Sequence, residues 1–149
     1  MMKRGREILA VALLAGPAAL FAAGGDTPDR GITPAAPEDP VVEAPRAAIA
    51  KKDWAGAQKG LMDALMGNPQ SADYHNLYAY TTRKGPTPDM NVVFKHYNDA
   101  LRIDPKHRNA HEYIGEAYLM VNNPAKAKEH LAVLDRLCFF GCEEYDDLK

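Results

Sequence analysis

The chain has 149 residues and a formal net charge of −2 at pH 7, with 18 basic and 20 acidic side chains. Because basic residues do not outnumber acidic ones, the chain lacks the positive excess that neutralises phosphates, and we expect no nucleic-acid partner. The length suits one small domain together with terminal segments.

The first 23 residues have the composition of a secretory signal peptide. Lys3, Arg4 and Arg6 form a basic start, and an apolar run of 16 residues follows over positions 8–23. Small residues at its end offer a cleavage site. A membrane span needs about 20 apolar residues, so a retained anchor is the weaker interpretation. We expect an exported protein, periplasmic or secreted, with no membrane attachment once residues 1–23 are removed.

Residues 24–40 are rich in proline and predict a flexible tether. The segment contains Pro28, Pro34, Pro37 and Pro40 and few large apolar side chains. Such a composition cannot bury enough apolar area to offset the entropy lost on ordering. We therefore expect the folded domain to cover residues 41–149.

Within that domain one pattern occurs three times. Its first residue is Asp53, Asp89 or Asn123, at spacings of 36 and 34 residues. Apolar residues follow at helical spacing, and the first two copies end in proline. The shared positions are Ala57, Leu61, Ala64, Leu65 and Pro69, then Val93, Tyr97, Ala100, Leu101 and Pro105, then Ala127, Leu131 and Leu134. A period of this length is typical of stacked helical repeats.

The pattern predicts three pairs of helices. The expected helices cover about 41–51, 54–66, 72–84, 89–103, 107–121 and 124–137, which gives repeats over about 41–69, 70–105 and 106–137. Asp89 and Asn123 should cap the helices that follow them. Pro86 and Pro88 should separate the two helices of the middle pair, because proline does not continue a helix.

These residues resemble the tetratricopeptide repeat, a helical pair of about 34 residues with small, aromatic and proline positions at fixed offsets. Gly115 and Tyr118 also match, whereas Ala79 stands where the family usually has glycine. The resemblance implies an all-α fold, a short right-handed superhelix of about three helix-turn-helix repeats, with a capping helix within residues 138–149. It also implies a concave groove that binds a peptide or a partner helix.

The side chains expected to line that groove come from the first helix of each pair. They are Asn76, Tyr80, Arg83, Asn109, Glu112, Tyr113 and Glu116. Aromatic rings supply contact area and amides bond to a peptide backbone. The sequence equally allows that these are ordinary solvated residues. Because Glu112 and Glu116 are acidic, we do not expect a site for the C-terminal carboxylate of a peptide.

Cys138 and Cys142 are the only cysteines of the chain. In an oxidising compartment a close pair predicts a disulfide, and closing so short a loop contributes about 2 kcal/mol. The alternative is a copper- or thiol-handling protein, because two thiolates can hold Cu(I) and a nearby histidine would complete the site. The candidate histidines are His107, His111 and His130, and none of them adjoins the cysteines in sequence.

The sequence contains no motif typical of an enzyme, such as a glycine-rich phosphate loop or a serine nucleophile. His107 and His111 stand four residues apart, but two histidines without a third ligand do not predict a metal site. We therefore expect no catalysis, no cofactor and no metal. The leading hypothesis is an adaptor in the bacterial periplasm that binds a protein or peptide, and an architectural role through self-association stays open.

Overall fold

The structure, a computed structural model, describes residues 39–149, and every regular element in that part of the chain is helical. The predicted all-α fold is confirmed for this region. The predicted signal peptide and nearly all of the predicted tether lie outside the described residues.

After a 3₁₀ turn at Pro40–Val42 the helices are α1 (Glu43–Ala50), α2 (Trp54–Gly67), α3 (Ala72–Lys84), α4 (Met90–Ile103), α5 (Arg108–Met120), α6 (Pro124–Leu137) and α7 (Glu143–Leu148). None of these helices has the length and apolar character needed to cross a membrane.

The three repeated polar residues cap the second helix of each pair, as predicted. The side chains of Asp53 and Asp89 accept hydrogen bonds from first-turn backbone amides at 2.9 Å, and that of Asn123 accepts one at 3.2 Å. These bonds satisfy amides that a helix start leaves unpaired. The starts of α2, α4 and α6 are therefore fixed by local chemistry that repeats along the chain.

The N-terminal end of the domain differs from the prediction in two ways. Helix α1 begins at Glu43, so Pro45 occupies its first turn, where the missing N–H removes no helical hydrogen bond. Asp39 and Pro40 belong to the folded region and not to the tether. The carboxyl group of Asp39 accepts a hydrogen bond from the hydroxyl of Tyr74 on α3, which ties the chain entry to the domain.

Each helix packs on the next, and further contacts join α3 to α5 and α5 to α7. Most of the buried apolar residues belong to one of two clusters. The first contains Val42, Leu61, Ala64, Leu65 and Tyr74, and the second contains Ala79, Val93, Tyr97, Ile114 and Ala117. Because each cluster draws on several helices, the apolar stripe of one helix is covered by its neighbours.

The last helix covers the end of the helical array. Helix α7 packs on α5 and α6, and Leu148 is buried. The approach to α5 is close at Gly115, where an added Cβ would lie 2.5 Å from Cδ2 of Leu148. Glycine at this position therefore lets α7 come near enough to place its acidic residues beside α5.

Candidate functional site

An apolar hollow of about 270 Å³ lies among the first helices of the three pairs, α1, α3 and α5. Its lining residues are Arg46, Ile49, Ala50, Leu77, Tyr80 and Tyr113. The rings of Tyr80 and Tyr113 are 5.0 Å apart and tilted by 44°. The hollow thus brings together two tyrosines of the predicted groove with residues of α1 that sequence reasoning did not name.

Arg83 lies behind the two tyrosine rings and not in the hollow. Its guanidinium carbon is 5.7 Å from the ring centre of Tyr80 and 5.6 Å from that of Tyr113. Its Nε donates to the hydroxyl of Tyr97 at 3.3 Å, and it forms an ion pair with Glu116. With 6% of its surface exposed, Arg83 is a buried support that holds the rings in place.

A second hollow, the acidic pocket, lies between α5 and α7 and has a volume of about 180 Å³. Its lining residues are Asn109, Glu112, Tyr113, Glu143, Glu144 and Asp147. The side chain of Tyr113 is shared with the apolar hollow, so the two sites adjoin across one ring. Burial, reinforced by the nearby Glu112 carboxyl, raises the pKa of Tyr113 to about 12, and its hydroxyl stays neutral.

Glu112 is the least accessible acid of this pocket, with 6% of its surface exposed. Burial, together with the neighbouring carboxyl groups of Glu116, Asp147 and Glu144, raises the pKa of Glu112 to about 7. A carboxyl group with this pKa is partly protonated at neutral pH. Its ionisation therefore responds to whatever enters the pocket.

The structure thus divides the predicted groove between two sites. Tyr80 and Tyr113 line the apolar hollow, and Asn109, Glu112 and Tyr113 line the acidic pocket. Asn76 is 4% exposed, and its side-chain oxygen has no hydrogen-bond partner in the described part of the chain. Glu116 is engaged by Arg83. Asn76 and Arg83 are therefore closed off from a ligand in this conformation.

Sequence reasoning missed two pairs of histidines. His75 on α3 contacts His96 on α4, and His111 on α5 contacts His130 on α6, each with 2.9 Å between Nδ1 atoms. The signal was present in the sequence, because His75 and His111 are 36 residues apart and His96 and His130 are 34 apart.

His107 has a different role from the paired histidines. Its Nδ1 accepts a hydrogen bond from the backbone amide of Ala110 and caps α5, and its Nε2 lies 3.0 Å from the carboxylate of Asp73. His107 and His111 therefore face different partners. Their helical spacing does not create a shared ligand site.

The predicted disulfide is confirmed by the geometry of the C-terminal turn. Cys138 and Cys142 are bonded, with 5.5 Å between their Cα atoms. A carboxylate oxygen of Glu144 and the two sulfur atoms lie within 4.8 Å of one another, the only such group of three metal-ligating residues within positions 39–149. The turn also exposes Phe139 and Phe140, at 84% and 96%.

No protein-family model matches the chain, and a comparison with curated proteins found no significant match. The tetratricopeptide resemblance therefore stays a prediction. What the protein does has to be argued from the two adjoining sites, because a helical fold alone does not specify a function.

Proposed function

We propose that the chain is a non-enzymatic interaction module of about three tetratricopeptide-like repeats, arranged as a short right-handed superhelix and exported to the bacterial periplasm. Its apolar hollow binds a side chain of an extended peptide or of a partner helix. The observation that carries the proposal is the lining of the hollow, to which α1, α3 and α5 all contribute. A segment lying across these helices contacts the first helix of every repeat.

The hollow is large enough for a side chain and lies just below the size range of small-molecule pockets. Pockets for drug-sized ligands hold about 300–1,000 Å³, whereas this one holds about 270 Å³. Burying one aliphatic or aromatic side chain contributes about 1.5–3 kcal/mol. That free energy is too small for stable capture after the entropy of association is subtracted, so the bound segment needs contacts beyond the hollow.

The two tyrosines give the hollow the character of a binding surface. Both rings are half-buried, and the buried Arg83 guanidinium lies close to each of them. Trp54 contacts Tyr80 edge-on at 6.4 Å between ring centres. Rings held in this way lose little side-chain entropy on binding, and tyrosine is enriched among the residues that dominate protein interfaces.

The proposal is tested by selecting a phage-displayed library of random 12-residue peptides on the purified chain. Binding of the enriched peptides is then measured by fluorescence anisotropy. We expect Tyr80→Ala and Ile49→Ser to weaken binding about tenfold or more, the loss expected for a central contact residue. Met66→Ala, which truncates an exposed apolar residue outside the hollow, should leave affinity unchanged. An absence of enriched peptides, or equal effects of all three variants, would refute the proposal.

The copper- or thiol-handling alternative has one observation in its favour, the closeness of Glu144 to the sulfurs of Cys138 and Cys142. Two facts weigh against it: the sulfurs are bonded to each other, and carboxylate is a hard ligand poorly suited to Cu(I). Intact-mass measurement of the exported protein separates the two functions. A mass lower than that of the reduced chain by two hydrogens, without bound copper, supports the structural disulfide. Free thiols that take up Cu(I) stoichiometrically support the alternative.

A further inference from the structure

Glu112 is a buried acid without a partner. The residue is 6% exposed, it lines the acidic pocket, and no side-chain hydrogen bond within residues 39–149 ends on its carboxyl group. Its oxygens are not among the fully enclosed unpaired polar atoms of that region, so they reach the space of the pocket. Partial desolvation without a donor disfavours the ionised form of a carboxyl group. The pocket is therefore built around a group that would be stabilised by a donor or a positive charge.

The charges around Glu112 are mostly negative. On its own helix, Glu116 lies one turn away, and from α7 the side chains of Glu143, Glu144 and Asp147 line the same pocket. Carboxylates that share a site repel one another and favour protonation or a bound cation. The acidic pocket therefore offers several acceptor oxygens to an incoming positive group.

Two arginines of the described chain pair with acids beside Glu112 and not with Glu112 itself. Arg83, from α3, is paired with Glu116 and hydrogen-bonded to the hydroxyl of Tyr97. Arg108 is 3.5 Å from the carboxylate of Glu144. Neither arginine forms an ion pair with Glu112, and the attraction of Arg83 is outweighed by burial and the neighbouring acids, which raise the pKa of Glu112.

The spacing of the acids in the pocket favours an organic cation over a metal ion. In the described region, the oxygens of these acids do not form a group of three within 4.8 Å of one another, which a compact metal site would need. A guanidinium or ammonium group suits the pocket better, because its several N–H donors can reach separate carboxylates.

We propose that the acidic pocket takes the cationic end of an arginine or lysine side chain, with Glu112 as its main acceptor. This inference rests on the proposed function, since the basic residue belongs to the same peptide whose apolar side chain fills the hollow. The two sites meet at Tyr113, so the recognised segment carries a large apolar residue close to a basic one. The basic residue supplies the additional contacts that the apolar hollow alone lacks.

The same phage library tests this inference when it is selected in parallel on the wild-type chain and on Glu112→Gln. Glutamine keeps the size of the side chain and removes its charge. We expect the wild-type pool to be enriched in peptides with arginine or lysine within three residues of a large apolar residue. In the Glu112→Gln pool the basic residue should be lost while the apolar residue stays. The matched control, Asp135→Asn on the exposed face of α6, should give the wild-type pool.

An enriched peptide then gives the size of the effect. Replacing its arginine by citrulline, or its lysine by norleucine, should weaken binding to the wild-type chain at least tenfold and binding to Glu112→Gln less than twofold. Apolar enrichment without a basic residue would overturn this inference and leave the proposed function intact. No enrichment at all would refute both.

A titration with calcium chloride tests whether the pocket binds a metal ion instead. Calcium chloride alone should leave the ¹³C resonance of the Glu112 carboxyl group unchanged. A saturable shift of that resonance would mark a metal site and overturn the inference.

Discussion

The Nδ1 atom of His75 lies 2.9 Å from the Nδ1 atom of His96, so only one of the two nitrogens carries a hydrogen. His75 Nε2 is 3.1 Å from the carbonyl oxygen of Pro69, which can only accept. A neutral His75 therefore donates through Nε2 and accepts through Nδ1, and His96 is the donor of the pair. His111 and His130 repeat the arrangement, with the carbonyl oxygen of Pro105 at 3.0 Å from His111 Nε2.

The histidine pairs should make the domain less stable in mild acid. Burial, reinforced by neighbouring positive groups and the partner imidazoles, lowers the pKa of His96 and of His130 to about 4. An unfolded histidine has a pKa near 6.5, so between these values the unfolded chain binds more protons. Stability therefore falls as pH drops from about 6.5 towards 4, by on the order of 1–2 kcal/mol per imidazole once the shift is discounted for the partial exposure of both rings.

Urea unfolding at pH 6.5 and pH 4.5 measures this effect. The double variant His96→Asn, His130→Asn keeps an amide donor and should no longer lose stability between pH 6.5 and pH 4.5, because the raised pKa of Glu112 acts in the opposite direction and is retained. Asn98→Ala changes an exposed residue of α4 that does not titrate and should retain the wild-type difference. Equal pH dependence in the double variant and the wild type would contradict this assignment.

Peptide binding should also depend on pH, and the affinity should rise as the pH rises. With the pKa of Glu112 at about 7 in the empty pocket, the carboxylate that accepts a cation is scarce at pH 6 and dominant at pH 8. Affinity for an arginine peptide should therefore rise about tenfold across this interval, because binding releases one proton. Isothermal titration calorimetry in buffers of different ionisation enthalpy measures that proton. The same rise in Glu112→Gln would assign it to another group.

The helix bounds were predictable from sequence because the signals are local. Apolar spacing and the capping residues Asp53, Asp89 and Asn123 act within one or two turns, so they need no knowledge of the neighbouring helices. Burial was not predictable in the same way. Whether Arg83 is solvated or covered depends on the rings that α5 and α4 bring over it, which helical periodicity does not specify.

The candidate site was predictable in part for the same reason. Tyr80 on α3 and Tyr113 on α5 each stand among polar residues of their own helix, so their exposure could be inferred. That residues of α1 line the same hollow could not be inferred. The acidic pocket could not be predicted without knowing where α7 packs. Sequence predicted that helix as a cap but gave no indication that its acids would lie beside Glu112.

Gly115 should control the docking of α7. Alanine normally stabilises a helix by about 0.5–1 kcal/mol relative to glycine, but a Cβ at position 115 would lie 2.5 Å from Leu148. Gly115→Ala should therefore displace Leu148 and increase hydrogen exchange of the backbone amides of residues 143–148. Gly67→Ala is the matched control, because a Cβ there meets no atom within 4 Å. Unchanged exchange in Gly115→Ala would show that α7 accommodates the methyl group.

The disulfide should stabilise the domain only modestly. The loop between Cys138 and Cys142 is short, so the chain-entropy estimate for its closure is about 2 kcal/mol. Replacing both cysteines by serine should lower the free energy of unfolding by about that amount and leave the far-ultraviolet circular dichroism unchanged. A loss of more than about 4 kcal/mol, or a clear loss of helix, would mean that the bridge holds more than the turn.

The most direct test of the central claim is NMR mapping of an enriched peptide on the ¹⁵N,¹³C-labelled chain. If the first helices form the binding surface, the largest shifts and intermolecular contacts will fall on Ile49, Leu77, Tyr80 and Tyr113. Contacts that cluster instead on the exposed Phe139 and Phe140, or on α2 and α4, would contradict it.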